Sequence, residues 1–329
     1  ALGLLRAEYS LLESLVGNKN VSNENVMFLK RTYRGMLENS VASSESSGID
    51  IAKENVAINQ YGRAIRERYQ PLFDLIDSSE SADFSPQQLE HVFTSAITWL
   101  AEHDDRTWAE WSVEMTDGTM LSVDSAAKKI KIALKREPAS ADDARALLAH
   151  ELLVHALRGK NGHKASNKNL ATGLADYLDA EEGLGILVEQ AISGELPEKA
   201  YDRYVDIALA LGVIDGKQKT RHEMFKISYA RHLIRAQQKS KPIDETSLLK
   251  KVWGHIDRIY RGGRGGHDDG RQAIFTKDIA YYVGYKKMAT YITDEISRGK
   301  TASELFAFLS QGKFDPTNPK HLEYIQVNS

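Results

Sequence analysis

The chain has 329 residues, 27% of them charged and 42% hydrophobic, with a net charge of −3. That length can bury a sizeable core, while the near-neutral balance gives no general pull toward nucleic acid or an anionic membrane surface, so neither is expected as a partner. There is no cysteine, which rules out disulfides, thiolate metal sites and cysteine nucleophiles.

The chain opens Ala1-Leu2-Gly3, with neither an initiator Met nor a basic-then-apolar leader, as expected of a trimmed chain, and the expected location is cytoplasmic. No apolar run approaches the roughly 20 residues of a membrane helix; the best, residues 204–214, is short and carries Asp206. Residues 1–100 read as an N-terminal helical region. Leu4, Leu5, Tyr9, Leu11, Leu12 and Leu15 recur at helical spacing, and Val26, Leu29, Tyr33 and Leu37 do the same. A Ser-rich break at 40–47 precedes a polar helix running through Arg68, and a further helix over 86–102 starts from Ser85.

The pattern then changes to alternation. Residues 111–115 lead through Asp117-Gly118 into residues 120–123, and Asp-Gly between alternating runs predicts a hairpin. A third run, 129–135, places Ile130 and Ile132 on one face and lysines on the other. Ser140 and Asp143 fit a capping box that opens a helix expected to stop at Gly159. After Gly194 the chain reads as helical to about residue 238; a stretch rich in Arg, Gly and Asp (258–271) leads to a last helix over 277–298, capped by Thr276.

The chemistry lies in His150-Glu151-Leu152-Leu153-Val154-His155, followed by Glu181-Glu182-Gly183. Zinc takes neutral imidazole nitrogens and carboxylate oxygens, and a catalytic site keeps one position for water. Four residues is the common spacing between such histidines; here it is five, which on an α-helix separates the side chains by about 140°. Both can reach one ion only where the helix widens by a residue, so a π-bulge is predicted between His150 and His155. Glu182, which shares a face with Ile186 and Glu189, is the expected third ligand of one Zn2+ per chain. Glu189 is the candidate acceptor for a ligand imidazole N–H, with Glu181 beside it, and Glu151 is the candidate general base. Gly183 and Gly185 would let this second helix sit close against the His helix. A small sheet, a metal-binding helix and a second acidic helix, in that order, is the zincin arrangement, in which an edge strand beside the site can bind a substrate backbone. The expected fold is therefore mainly α (α+β) and zincin-like, with one small, largely antiparallel sheet beside the metal helix. Residues 101–329 would form its catalytic domain, packed with the N-terminal region as one compact unit.

His-Glu-x-x-x-His followed by Glu-Glu-Gly-Leu-Gly resembles the tyrosine carboxypeptidase family of zinc metallopeptidases, whose bacterial members carry a Gln-Glu-Gly-Leu-Ala motif. The likeness continues in Glu189 and in the segments Arg258-Ile259-Tyr260-Arg261-Gly262-Gly263 and Phe275-Thr276-Lys277-Asp278, covering roughly 140–282. Gly185 stands where that motif has Ala and Glu181 where bacterial members often have Gln. The resemblance implies His150, His155 and Glu182 as zinc ligands, Glu151 as base, and removal of a C-terminal residue, possibly aromatic, from a peptide or protein. A carboxypeptidase must hold a free carboxylate, for which Arg261 and Lys277 are the first candidates and Arg158 another. Tyr282, or its neighbour Tyr281, could donate to the tetrahedral intermediate. His163, in an expected polar loop over 160–172, could also reach the site. The alternative function is a catalytically inactive, metal-stabilised helical binding protein, which would tolerate Glu151→Gln. The oligomeric state is not legible.

Overall fold

The computed structural model describes residues 51–326 apart from 80, 119, 215, 239–243 and 262–272. The helices expected over residues 4–37, the Ser-rich break and the glycines at 262–266 lie outside the described residues. The chain divides into two compact units, one of Asp50–Glu198 with Ala280–Ser329 and the other, among the described residues, Lys199–Ile279. It is mainly helical with a small sheet, as its composition and periodicities led one to expect.

The first unit begins with α1 (Ile51–Asp77), bent where Tyr69 leaves helical geometry (φ −121°, ψ 24°) just ahead of Pro71, since a proline inside a helix removes a hydrogen bond and crowds the preceding turn. Its buried face carries Ile58, Tyr61, Ile65, Leu72 and Phe73. After the short strand β1 (Asp83–Phe84), helix α2 (Pro86–His103) starts from a full capping box, Ser85 and Gln88 each bonding the other's backbone N–H, with proline at the first turn. A 3₁₀ turn (Arg106–Glu110) buries Trp108 and leads to the sheet.

Strands β2 (Ser112–Thr116), β3 (Ser122–Asp124) and β4 (Lys129–Ala133) lie in the order β2-β4-β3. Asp117-Gly118 therefore does not close a hairpin: in this sheet β2 pairs parallel with β4, and β3 pairs antiparallel with β4. The sheet is mixed rather than largely antiparallel. The central strand β4 has its charges matched on both sides. Lys129 pairs with Glu114 of β2 at 2.7 Å and Lys131 with Asp124 of β3 at 2.8 Å, while Ile130 and Ile132 face the core. The tight reversal is at residues 125–128, where Lys128 adopts φ +54°. A two-residue strand β5 (Ala139–Ser140) pairs antiparallel with β1.

Ser140 caps α3 (Ala141–Leu147) by accepting the Asp143 N–H. This helix runs without a break into a π-helix (Leu148–Ala156) and then α4 (Leu157–Lys164). Gly159 does not end the helix. It lets the β3–β4 turn press onto it, since a Cβ there would stand 2.5 Å from Ser125 Oγ. His163 belongs to the same helix rather than to a loop, with Nε2 2.7 Å from the Ser125 carbonyl. A short α5 (Asn169–Thr172) precedes α6 (Leu178–Ser193), which ends at Gly194 in the left-handed region (φ +83°). The π-helix is flanked by α6 and by β3.

The second unit contains most of α7 (Glu198–Ala210), together with α8 (Arg221–Gln238) and α9 (Glu245–Ile259). A buried ionic knot holds it. Asp206, fully buried, accepts from Arg231 and from His255 Nε2 at 2.8 Å. Arg258 grips Asp278 through Nε at 2.5 Å and a terminal nitrogen at 2.9 Å, and the Phe275 N–H bonds the Ile259 carbonyl at 2.7 Å. The chain then returns to the first unit through α10 (Ile279–Ser297), α11 (Ala302–Leu309) and α12 (Pro319–Gln326). There α10 crosses α6 at bare backbone, a Cβ on Gly183 standing 2.0 Å from the Gly284 carbonyl carbon.

Candidate metal centre

Nine residues of π-helix, Leu148–Ala156, contain the whole His-Glu-x-x-x-His segment. The expected widening is thus present and longer than a single bulge. Such stretches are rare and concentrate at functional sites. Its effect is to cancel the roughly 140° that five residues would subtend on an α-helix. The two imidazoles stand 4.7 Å apart between ring centres, tilted by 72°, with Nε2 of His150 2.9 Å from Nε2 of His155.

Each ring is held from behind. Nδ1 of His150 is 2.5 Å from Glu189 Oε1, and Nδ1 of His155 is 2.8 Å from Glu181 Oε1. Both carboxylates are buried, so the hydrogen-bond network assigns the imidazole proton to Nδ1 in each ring and leaves a lone pair on each Nε2. Two lone pairs at that separation repel unless a cation or proton lies between them. Glu182 adds the third donor, and all three ligand atoms fall within 4.8 Å of one another. Two imidazole nitrogens and one carboxylate oxygen, with two further carboxylates behind the rings, suit a divalent cation of zinc's ligand preference.

The support behind His155 is charged. Arg158 gives a terminal nitrogen to Glu181 and its other nitrogens to the carbonyls of Gly312 (2.8 Å) and Phe314 (2.7 Å), and Lys313 Nζ lies 3.4 Å from the same carboxylate. Burial opposes the Glu181 charge, but Arg158, Lys313 and the bond from His155 outweigh it and hold the carboxyl well below its usual range. Arg158, offered by sequence as a substrate contact, is 1% exposed and wholly committed to this support. Glu151, on the same π-turn, is half-buried. Burial raises its carboxyl; His150 and His155 lower it, while Glu182 and Glu189 raise it further. Gly185 packs against the Nε2 edge of His150, its hypothetical Cβ 2.6 Å from Cε1 and Nε2. Of the two glycines expected to admit the His helix, Gly185 does so, whereas Gly183 admits α10.

The family model for microtubule-associated tyrosine carboxypeptidases matches residues 51–328. The chain belongs to that family. No curated protein matches it. Membership in the tyrosine carboxypeptidase family implies a peptidase-like enzyme with a peptide or protein substrate. The match also extends well beyond the segment from which sequence reading drew the likeness. Among the described residues, no helix is long and apolar enough to cross a membrane.

Two family-like segments of the sequence meet within the second unit, where Arg258 and Asp278 tie them together and the exposed Arg261 guanidinium lies 5.8 Å from the Phe275 ring centre. Lys277 is exposed on the same unit. Tyr282 is buried in α10, its ring stacked on Tyr285 at 6.2 Å. Sequence reading passed over Lys313 and Arg136. Neither belongs to a motif, and only the fold brings Lys313 to Glu181 and Arg136 into the field of Glu151 and Glu189.

Proposed function

We propose that this chain is a zinc-dependent carboxypeptidase that releases a C-terminal residue, tyrosine or another aromatic, from a peptide or protein. The observation that carries the reading is the convergence of two Nε2 atoms from a π-turn that also bears Glu151 with Glu182 of α6. His150, His155 and Glu182 would hold the ion, with Glu189 and Glu181 fixing the tautomer and aim of the imidazoles. Bound zinc would polarise the scissile carbonyl and lower the pKa of a water toward about 7. Glu151 takes the proton from the attacking water and delivers it to the departing amine. Strand β3 is the sheet edge beside the π-helix, and its outer backbone edge is where an extended substrate could be received.

The test profiles a peptide library with the wild-type protein and Glu151→Gln in parallel. Loss of single C-terminal residues by the wild type alone is the expected outcome. Identical profiles from the two proteins would reject the enzyme reading.

A further inference from the structure

A carboxypeptidase must distinguish a chain end from a chain middle, and the chain end differs by one anionic carboxylate. The cations of the catalytic unit are mostly spent. Arg158 and Lys313 serve Glu181, Arg145 bridges Asp77 and Asp142, Lys286 pairs with Glu54, and Lys287 with Asp315. Arg136 is different. It is half-buried, its side chain makes no hydrogen bond or ion pair with any described residue, and its Nε is buried without a partner.

Its place in the chain is equally specific. Arg136 lies three residues past β4, on the loop that carries the sheet into the metal helix, its own N–H bonded to the Ala133 carbonyl. Burial weakens its hold on the charge, and the carboxylates of Glu151, Asp143 and Glu189 support it, so the guanidinium stands in the field of the proposed base. An unpartnered buried donor is costly, and an incoming acceptor relieves that cost. The planar fork of arginine matches a carboxylate through two parallel hydrogen bonds.

We propose that Arg136 binds the terminal carboxylate of the substrate and so restricts cleavage to the last peptide bond; this rests on the carboxypeptidase reading above. Arg136 is thereby the specificity-determining residue, and neither Arg261 nor Lys277 is required for that contact.

The test uses the full-length, zinc-loaded Glu151→Gln protein and a fluorescent Tyr-terminated peptide, as free acid and as C-terminal amide, read by anisotropy. The acid should bind on the order of 10–10²-fold more tightly than the amide, Arg136→Gln should erase that preference, and Arg136→Lys should restore part of it. In the Glu151 background, Arg136→Gln should raise KM for the acid by a similar factor and leave kcat within about threefold. Retained acid preference in Arg136→Gln, or no preference before the change, would overturn the proposal. So would an equal fall in kcat on both peptides with the preference intact, which would make Arg136 an electrostatic neighbour of Glu151. If no protein hydrolyses either peptide but acid-selective binding still depends on Arg136, the anchor stands and the hydrolase reading falls.

Discussion

Replacing Arg158 by Met tests whether the charge behind His155 is structural. The guanidinium is 1% exposed and satisfies Glu181 and two backbone carbonyls. Its loss strands a buried carboxylate whose remaining cation, Lys313, is 3.4 Å away, and leaves the Gly312 and Phe314 carbonyls unpaired by it. Breaking a buried ion pair from one side costs about 3–5 kcal/mol, which for a unit of this size lowers the melting temperature by roughly 6–20 °C. The assay is circular-dichroism melting of Arg158→Met, Glu181→Met and the double variant. The double variant should be more stable than Arg158→Met alone, because the Glu181 carboxylate is no longer buried without its arginine and only Lys313 loses a partner. Metal affinity should also fall about 10–100-fold in Arg158→Met, since Glu181 orients the His155 ring. A melting point within about 2 °C of wild type, or single-variant losses that simply add in the double variant, would refute the reasoning.

Glu151→Gln should lower kcat by at least ~10²–10⁴-fold while metal content stays at the wild-type level, checked by steady-state kinetics beside elemental analysis. Gly185→Leu drives a side chain into the His150 ring, whose atoms already lie 2.6 Å from a hypothetical Cβ. Competition with a chromophoric chelator should show metal affinity reduced at least ~10-fold. Asp206 is held down to about 2, burial opposing its charge but Arg231 and His255 prevailing. A carboxyl depressed in the folded state stabilises it above the unfolded pKa, and that contribution, about 2 kcal/mol, is lost as pH falls from roughly 4 to 2. Urea unfolding across that range should show a shallower slope in Asp206→Asn than in wild type, because Glu181, Asp278 and Asp315 are also held down in the folded state.

The centre was more legible than the sheet, for a physical reason. Five residues between two histidines conflict with α-helical geometry if both serve one ion, so the conflict itself announced the π-turn that Leu148–Ala156 adopts. Helical phase likewise placed Glu189 with Glu182 and set Glu181 apart, and the structure gives Glu189 to His150 and Glu181 to His155. The hairpin misled because Asp117-Gly118 is only a local preference. The order of strands involves pairings between distant residues, Glu114 with Lys129 and Asp124 with Lys131 among them, that meet only after folding. Gly159 misled in the same way, its missing side chain serving a close contact with Ser125 rather than a helix end. Arg136 carries no sequence signal beyond lying shortly before the capping Ser140, and its significance comes from the partners it lacks.

The most direct test of the metal centre is anomalous diffraction at the zinc edge from crystals of the protein purified without chelators. One peak per chain is predicted, about 2.0–2.2 Å from Nε2 of His150, Nε2 of His155 and a Glu182 oxygen. A fully occupied zinc peak bound elsewhere, or zinc-soaked crystals with no peak between those two imidazoles, would contradict it.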